Sequence, residues 1–366
     1  MLPETIALGY HPLCFGADPE IFLTEDGKIV GAETVLPRNG LGVQSGNRVM
    51  IDGVQAELQP NPSVCRVALA SNITSCYSQL FRFLQNKQRR KIAINFSKVI
   101  RMSRTDLNAL SEKARILGCE PSFNVYTGGQ SDLMINPARS LMRSAAGHIH
   151  VGLQRPTQNQ KAWIDSTVRA LDLIVGNTCV LIDRDPANAI RRKVYGRAGE
   201  FRLPTHGIEY RTLSNFWLHS YQLMSLVIGL VDVAVSVAQV ENVTVRDFLT
   251  TVNHRRVARA INTNNATLAQ TNFDEYVRPI LERIHFDQKG LCASRLPTFD
   301  YFVRKIGEEG LDFWFPFDPV THWLQRPDPY RSGWESFMDG VVTPMMRGGS
   351  YPKEWWKKPI TRPSAE

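Results

Sequence analysis

The sequence lacks most of the signatures that would settle its chemistry at once. It has no GxxxxGK[ST] run, which excludes a P-loop nucleotide site, and the glycines of GLGVQSG (40–46) are misspaced for a dinucleotide fingerprint. No GxSxG elbow occurs, and no cysteine stands in a nucleophile motif. The six cysteines, at 14, 65, 76, 119, 179 and 292, include no CxxC, so a zinc ribbon or finger is excluded. The opening MLPETIALGY has no basic segment ahead of an apolar stretch, so no signal peptide is expected. The thiols are then expected to be reduced, in a cytoplasm. Internal repeats and low-complexity tracts are also missing.

What is present is an ordinary globular composition, 43% hydrophobic and 21% charged over 366 residues. That is enough chain for one large domain or two modest ones. The 43 Lys and Arg against 35 Asp and Glu leave a net charge of +8, a mild excess that suits a nucleotide as readily as a nucleic acid. The stretch from Thr212 to Val231 carries no formal charge, but His219, Gln222 and Asp232 interrupt the pattern and basic anchors are missing. It reads as a buried core helix rather than a membrane span.

Apolar spacing predicts helices over Ser63–Gln85, Thr105–Leu117, Thr157–Ile182 and Asn215–Gln239. Between them lie strand-like runs: EIFLT, KIVGAE, VMIDGVQAELQP, KIAINFSKVI, AGHIHVGL, KVYGRAGEFRLP and GIEYRTL. Asp-Gly within EIFLTEDGKIV predicts a hairpin. Without regular βαβ alternation, the fold class expected is α+β, a curved, mainly antiparallel sheet flanked by helices. After about residue 240 the character changes: five of the seven tryptophans (314, 323, 334, 355 and 356) fall in the last fifth. The division expected is a catalytic domain over 8–240 and a helical, aromatic-rich extension over 241–366, packed on the core and ending in a loose tail.

Polar pairs at i, i+2 recur inside the strand-like runs: Asp18 and Glu20, Glu57 and Gln59, His148 and His150, Glu200 and Arg202, Glu209 and Arg211. Alternation along a strand points each pair to one face, so neighbouring strands would line a polar trough on one sheet. Carboxylates with one or two imidazoles suit Mg²⁺ or Mn²⁺, and adjacent guanidiniums suit phosphate. Metal with several arginines points to phosphoryl transfer. Each piece alone has a plainer reading. Glu57 could be an outward carboxylate, Glu200 a salt-bridge partner, and Arg191 with Arg192 part of a solvated turn.

Taken in order, GADPEIFL (16–23), DGVQAELQPNP (52–62), AAGHIHVG (145–152), YGRAGEFRLP (195–204) and GIEYRTLSNFW (207–217) resemble the glutamine synthetase and glutamate–cysteine ligase superfamily. The likeness is strongest to its phage-encoded carboxylate–amine ligases of the phiEco32-like type. The resemblance implies that superfamily's fold, with ATP and Mg²⁺ (or Mn²⁺) as cofactors. Asp18, Glu20, Glu57, His148 and Glu209 would then be metal ligands, with Glu57 also part of the catalytic set. His150 and Arg202 would face the nucleotide phosphates, together with Arg197, which would also stabilise the phosphoryl group in flight. Arg211 would steady the acyl phosphate. Asp18 replaces one of two glutamates on the family's first strand, and Glu200 is the candidate for a third glutamate.

The activity implied is ATP-dependent amide formation through an acyl phosphate, with small-molecule or peptide carboxylate and amine substrates. It would take place in the host cytoplasm if the chain is phage-encoded. No membrane partner is expected, nucleic acid is not favoured, and a homo-oligomer is compatible with the sequence. The rivals are a metal-dependent hydrolase using His148 and His150, a kinase on the same fold, and a non-catalytic virion or nucleic-acid-binding protein. The last would use KQRRKIAINFSKVIRMSR and the Trp- and Lys-rich end.

Overall fold

The computed structural model describes Leu2, residues 6–8, and residues 14–286 apart from 43–45, 65, 87–89, 116–121, 132–139, 153–159, 220, 240–242 and 282. The tryptophan-rich stretch and the expected loose tail lie outside the described residues.

Two antiparallel sheets carry the fold. The strands that matter most are β1 (Cys14–Ala17), β2 (Glu20–Glu25), β3 (Arg48–Asp52), β4 (Gln55–Gln59), β5 (Ile149–Gly152), β6 (Glu200–Arg202) and β7 (Gly207–Tyr210). One sheet has six strands, running from 129–130 through 123–124 to β6, β7, β5 and β1. The other has five: Lys28–Val30, β2, β4 and β3 in order, with Ile92–Asn95 also on β2. Among the described strands only Ile6–Leu8 and Ile284–Phe286 pair in parallel. The α+β class expected from the sequence is therefore the observed one. The single lined sheet is not: the chain leaves the first sheet after Ala17 and enters the second at Glu20. The crossing is stitched by Leu58 N–H donating to Pro19 O (2.9 Å) and Glu20 N–H to Ala146 O (2.8 Å).

Helices cover these sheets. The principal ones are α1 (Arg66–Gln85), α2 (Gln160–Ala170), α3 (Ala187–Val194) and α4 (Tyr221–Ala238). The uncharged run of α4 buries Leu223, Met224, Val227, Ile228, Val231 and Val235 in the main core. Each such side chain contributes roughly 1.5–3 kcal/mol, so α4 is the main apolar anchor. Among the described residues no single helix is long and apolar enough to cross a membrane. The core continues past residue 240, where Val245, Val257, Ile261 and Phe273 join the same cluster.

Several local expectations need correction. The helix expected over Thr105–Leu117 is two short ones, Arg104–Asn108 and Glu112–Arg115. Glu33 accepts from both Ser111 N–H (2.7 Å) and Ser111 Oγ (2.5 Å), which fixes the break. The helix from Gln160 to Ile182 passes through a π turn at Leu171–Gly176. VMIDGVQAELQP folds back on itself as the β3–β4 hairpin, because Gly53 adopts a positive φ of 53°. Lys193 and Val194 belong to α3, not to a strand. The Asp-Gly hairpin forms as expected, with Asp26 and Gly27 both at positive φ.

The basic residues of KQRRKIAINFSKVIRMSR are partly consumed inside the fold. Arg90 pairs with Glu25 (2.7 Å), and Lys98 with Asp183 (2.9 Å) and Asp185 (2.7 Å). Arg191 and Arg192 are buried rather than solvated. Their guanidiniums donate to the carbonyls of Thr212, Leu213 and Ile261, which ties α3 to the chain after β7. Cys14, Cys76 and Cys179 are free thiols.

Candidate active site

Strand register assembles one half of the site. Arg202 on β6 lies opposite Glu209 on β7, and Glu209 lies opposite His150 on β5, making a row across three strands. Arg202 grips Glu209 through two bonds of 2.7 Å each. Arg211 Nε adds a third contact at 3.1 Å. Arg211 is itself fully buried: it donates to Ser122 Oγ (2.7 Å), and its guanidinium lies 4.7 Å from the centre of the Tyr195 ring. Asp18, at the end of β1, faces this row. Its Oδ1 lies 3.3 Å from His148 Nδ1, and its Oδ2 lies 3.2 Å from His150 Nε2. His148 Nδ1 is also 3.3 Å from Glu209 Oε1.

The other half stands on the second sheet. Glu20 on β2 is in register with Glu57 on β4, and Asp52 closes the β3–β4 hairpin beside them. One ligand atom from each of the three lies within 4.8 Å of the others. Glu20 accepts from Ala146 N–H (2.8 Å) and Gln55 Nε2 (3.4 Å), while Gln59 donates to Glu57.

The two halves differ in charge balance. In the first, two carboxylates meet two guanidiniums. Burial alone would raise the pKa of Asp18, but the imidazoles of His148 and His150 hold it well below the usual carboxylate range. Glu209 is likewise lowered, with burial opposed by His148 and Arg202. In the second half, among the described residues, none of the three carboxylates has a Lys or Arg within ion-pair distance. Burial, then Asp52, raises Glu20 well above its ordinary value; burial and Asp18 raise Asp52 and push Glu57 up to about 8. A cluster of this kind asks for a cation.

The donor set fits Mg²⁺ or Mn²⁺. Glu20, Asp52 and Glu57 offer only oxygen, and a second group of Asp18, His150 and Glu209 also converges within 4.8 Å. In that second group Asp18 Oδ1 and His150 Nε2 are buried without an aligned hydrogen bond, so their contacts with neighbours are charge contacts only.

Of the residues singled out in the sequence, Asp18, His148, His150, Arg202, Glu209 and Arg211 come together in the first half, and Glu20 and Glu57 in the second. Asp18 and Glu20, read as one pair on one face, divide between the halves because the chain changes sheet between them. Arg197 makes no ion pair with either half among the described residues; its Nε lies 3.2 Å from Arg192 O and its Nη2 3.3 Å from Lys193 O at the end of α3. Glu200 is buried and accepts from Gly196 N–H (2.9 Å), so it closes the loop that carries Arg197.

That loop depends on Gly196, whose φ is +74° and where a Cβ would sit 2.3 Å from Arg191 Nη1. Gly196→Ala is therefore expected to destabilise the fold by about 2 kcal/mol or more, read as a lower urea midpoint. A midpoint equal to that of the unaltered chain would contradict this packing.

Sequence reading missed Asp52, Tyr195 and His206. Asp52 was visible as the residue before Gly53 in a turn, where its chemistry is masked by its turn propensity. Tyr195 and His206 carried no spacing signal, since each reaches the site from outside a strand.

The α+β fold thus carries a carboxylate–imidazole–guanidinium row beside a carboxylate trio, two groups that could each hold a metal ion. Residues 142–286 match the family of phage phiEco32-like COOH.NH2 ligase-type 2, supporting the resemblance read from the sequence; the family's name is that of a ligase. The matched segment holds β5, β6 and β7, and hence His148, His150, Arg197, Arg202, Glu209 and Arg211. No curated protein matches the chain.

Proposed function

We propose that the chain is an ATP-dependent carboxylate–amine ligase that forms an amide through an acyl phosphate. The observation that carries this reading is the Glu20–Asp52–Glu57 trio, one buried and two partly buried carboxylates with no Lys or Arg within ion-pair distance among the described residues, set beside an arginine-clamped row. A divalent cation held by the trio, with a second at Asp18, His150 and Glu209, would neutralise phosphate oxygens.

The protein's own side chains do the rest. Arg202, whose side chain stays 27% exposed, would meet the nucleotide phosphates in this reading. Arg211 holds Glu209 in place from within the fold. Arg197 rests on the α3 carbonyls and supplies positive charge to the phosphoryl group as it moves. A substrate carboxylate oxygen attacks the γ-phosphorus of ATP and ADP leaves. The amine then attacks the acyl carbon, loses a proton, and expels phosphate.

The test is ADP release by the full chain with Mg²⁺, ATP, and a pool of amino acids and small peptides. The expected result is release that needs both a carboxylate and an amine and is lost in Glu20→Gln and Glu57→Gln. Absence of nucleotide binding by calorimetry, with Mg²⁺ or Mn²⁺ present, would sink the reading. Turnover of a substrate without nucleotide would favour the hydrolase using His148 and His150.

A further inference from the structure

Each imidazole of the His148–His150 pair turns one ring nitrogen toward Asp18: Nδ1 of His148 at 3.3 Å and Nε2 of His150 at 3.2 Å. The remaining nitrogen of each ring is held by a residue from another segment. Tyr195 Oη lies 2.6 Å from His148 Nε2, and His206 Nε2 lies 3.0 Å from His150 Nδ1.

The two holders arrive by different routes. Tyr195 follows the end of α3 in extended backbone, buried, with the guanidiniums of Arg211 and Arg191 at 4.7 and 5.4 Å from its ring centre. His206 sits exposed on the turn joining β6 to β7, the strands that deliver Arg202 and Glu209. A neutral imidazole has one donor and one acceptor nitrogen, so a partner at one side decides what the other presents. Mere packing would not place a polar atom at the distal nitrogen of both rings.

We infer that Tyr195 and His206 are positioning residues for His148 and His150: Tyr195 leaves His148 Nδ1–H to Asp18 and Glu209, and His206 leaves the His150 Nε2 lone pair to a cation held with Asp18 and Glu209. In this arrangement Tyr195 Oη–H donates to His148 Nε2, and His150 Nδ1–H donates to His206 Nε2. The inference rests on the cation reading given above, and it assigns the two residues no contact with substrate.

The test uses the full chain, with Mn²⁺ as the probe and paramagnetic resonance as the measure of free ion. His206→Ala is expected to weaken Mn²⁺ binding about ten-fold, the usual effect of losing a partner behind a metal-binding histidine, and Tyr195→Phe to weaken it less, through His148 beside Asp18 and Glu209. His206→Gln should recover most of the loss, because its amide oxygen accepts from His150 Nδ1–H. Imidazole ¹⁵N shifts of the metal-free chain give a second readout. The His150 Nδ1 resonance is expected to move in His206→Ala, where its hydrogen-bond partner is lost, with His148 unmoved.

Unchanged affinity in both variants, or equal losses in His206→Ala and His206→Gln, would overturn the inference. If the unaltered chain binds no Mn²⁺, the cation reading fails by itself and the ¹⁵N shifts decide: a moved His150 Nδ1 resonance in His206→Ala supports the positioning role, and identical shifts overturn it. His206 is exposed, so its variants remain informative even where Tyr195→Phe does not fold.

Discussion

Replacing Arg197 with alanine is expected to lower amide-forming turnover roughly 100- to 1000-fold while leaving the unfolding midpoint in place. Among the described residues the guanidinium makes only two long bonds, to the carbonyls of Arg192 and Lys193, where the end of a helix attracts a cation weakly. The backbone around it is secured without its side chain. Thr212 Oγ1 donates to Arg197 O (2.9 Å), Ala198 N–H to Asn262 Oδ1 (2.9 Å), and Asn124 Nδ2 to Ala198 O (2.9 Å). Arg211→Met should behave in the opposite way. Removing one partner of a buried ion pair costs about 3–5 kcal/mol, because Glu209 would lose a counter-charge and Ser122 and Tyr195 their shared contact. Urea unfolding and steady-state turnover on both variants separate the roles. Full turnover in Arg197→Ala removes it from the chemistry, and an unshifted midpoint in Arg211→Met removes it from the scaffold.

The metal-free protein is expected to lose stability steadily as pH rises from about 5 to 8, and a divalent cation should restore it. Glu57 titrates near 8 in the folded chain against 4.5 for an ordinary glutamate. Between those values the folded state keeps a proton that the unfolded chain has released, so the unfolding free energy falls with pH. At about 1.4 kcal/mol per unit, the full loss from Glu57 is on the order of 5 kcal/mol, and Glu20 and Asp52 act in the same direction. Asp18 and Glu209, held below their ordinary values, do the reverse: their contribution is present above the unfolded pKa and lost as pH falls below about 4.

A stability maximum near pH 5 follows from these two opposed trends. Mg²⁺ or Mn²⁺ should raise the thermal midpoint more at pH 8 than at pH 5.5, since the cation competes with bound protons. Glu57→Gln should be more stable than the unaltered chain at pH 8 without metal, and should lose most of the cation response. A flat profile between pH 5 and 8, or an unchanged response in Glu57→Gln, would contradict the carboxylate cluster as described.

What could be read from the sequence follows the distinction between short-range pattern and long-range pairing. The α+β class and α1 and α4 were legible because period and turn chemistry are local. His150, Arg202 and Glu209 were legible as candidates because the i, i+2 spacing marks a strand face. Their alignment in one row depends on register among β5, β6 and β7, which no single segment encodes. The change of sheet at Pro19 was hidden for a related reason: GADPEIFL reads as one extended run, and only its pairing partners differ on either side. Arg191 and Arg192 were misjudged because a charge pair gives no sign that carbonyls, rather than water, will receive it.

The Asp18–Pro19 crossing also has a mechanical consequence. The spacing between the two carboxylate groups is written into covalent geometry, because a single dipeptide joins the strand that ends at one to the strand that begins at the other. Chain length elsewhere can drift without altering that gauge. A residue inserted between Ala17 and Glu20 would lengthen it by about 3.3 Å, enough to take the two groups out of step on one triphosphate.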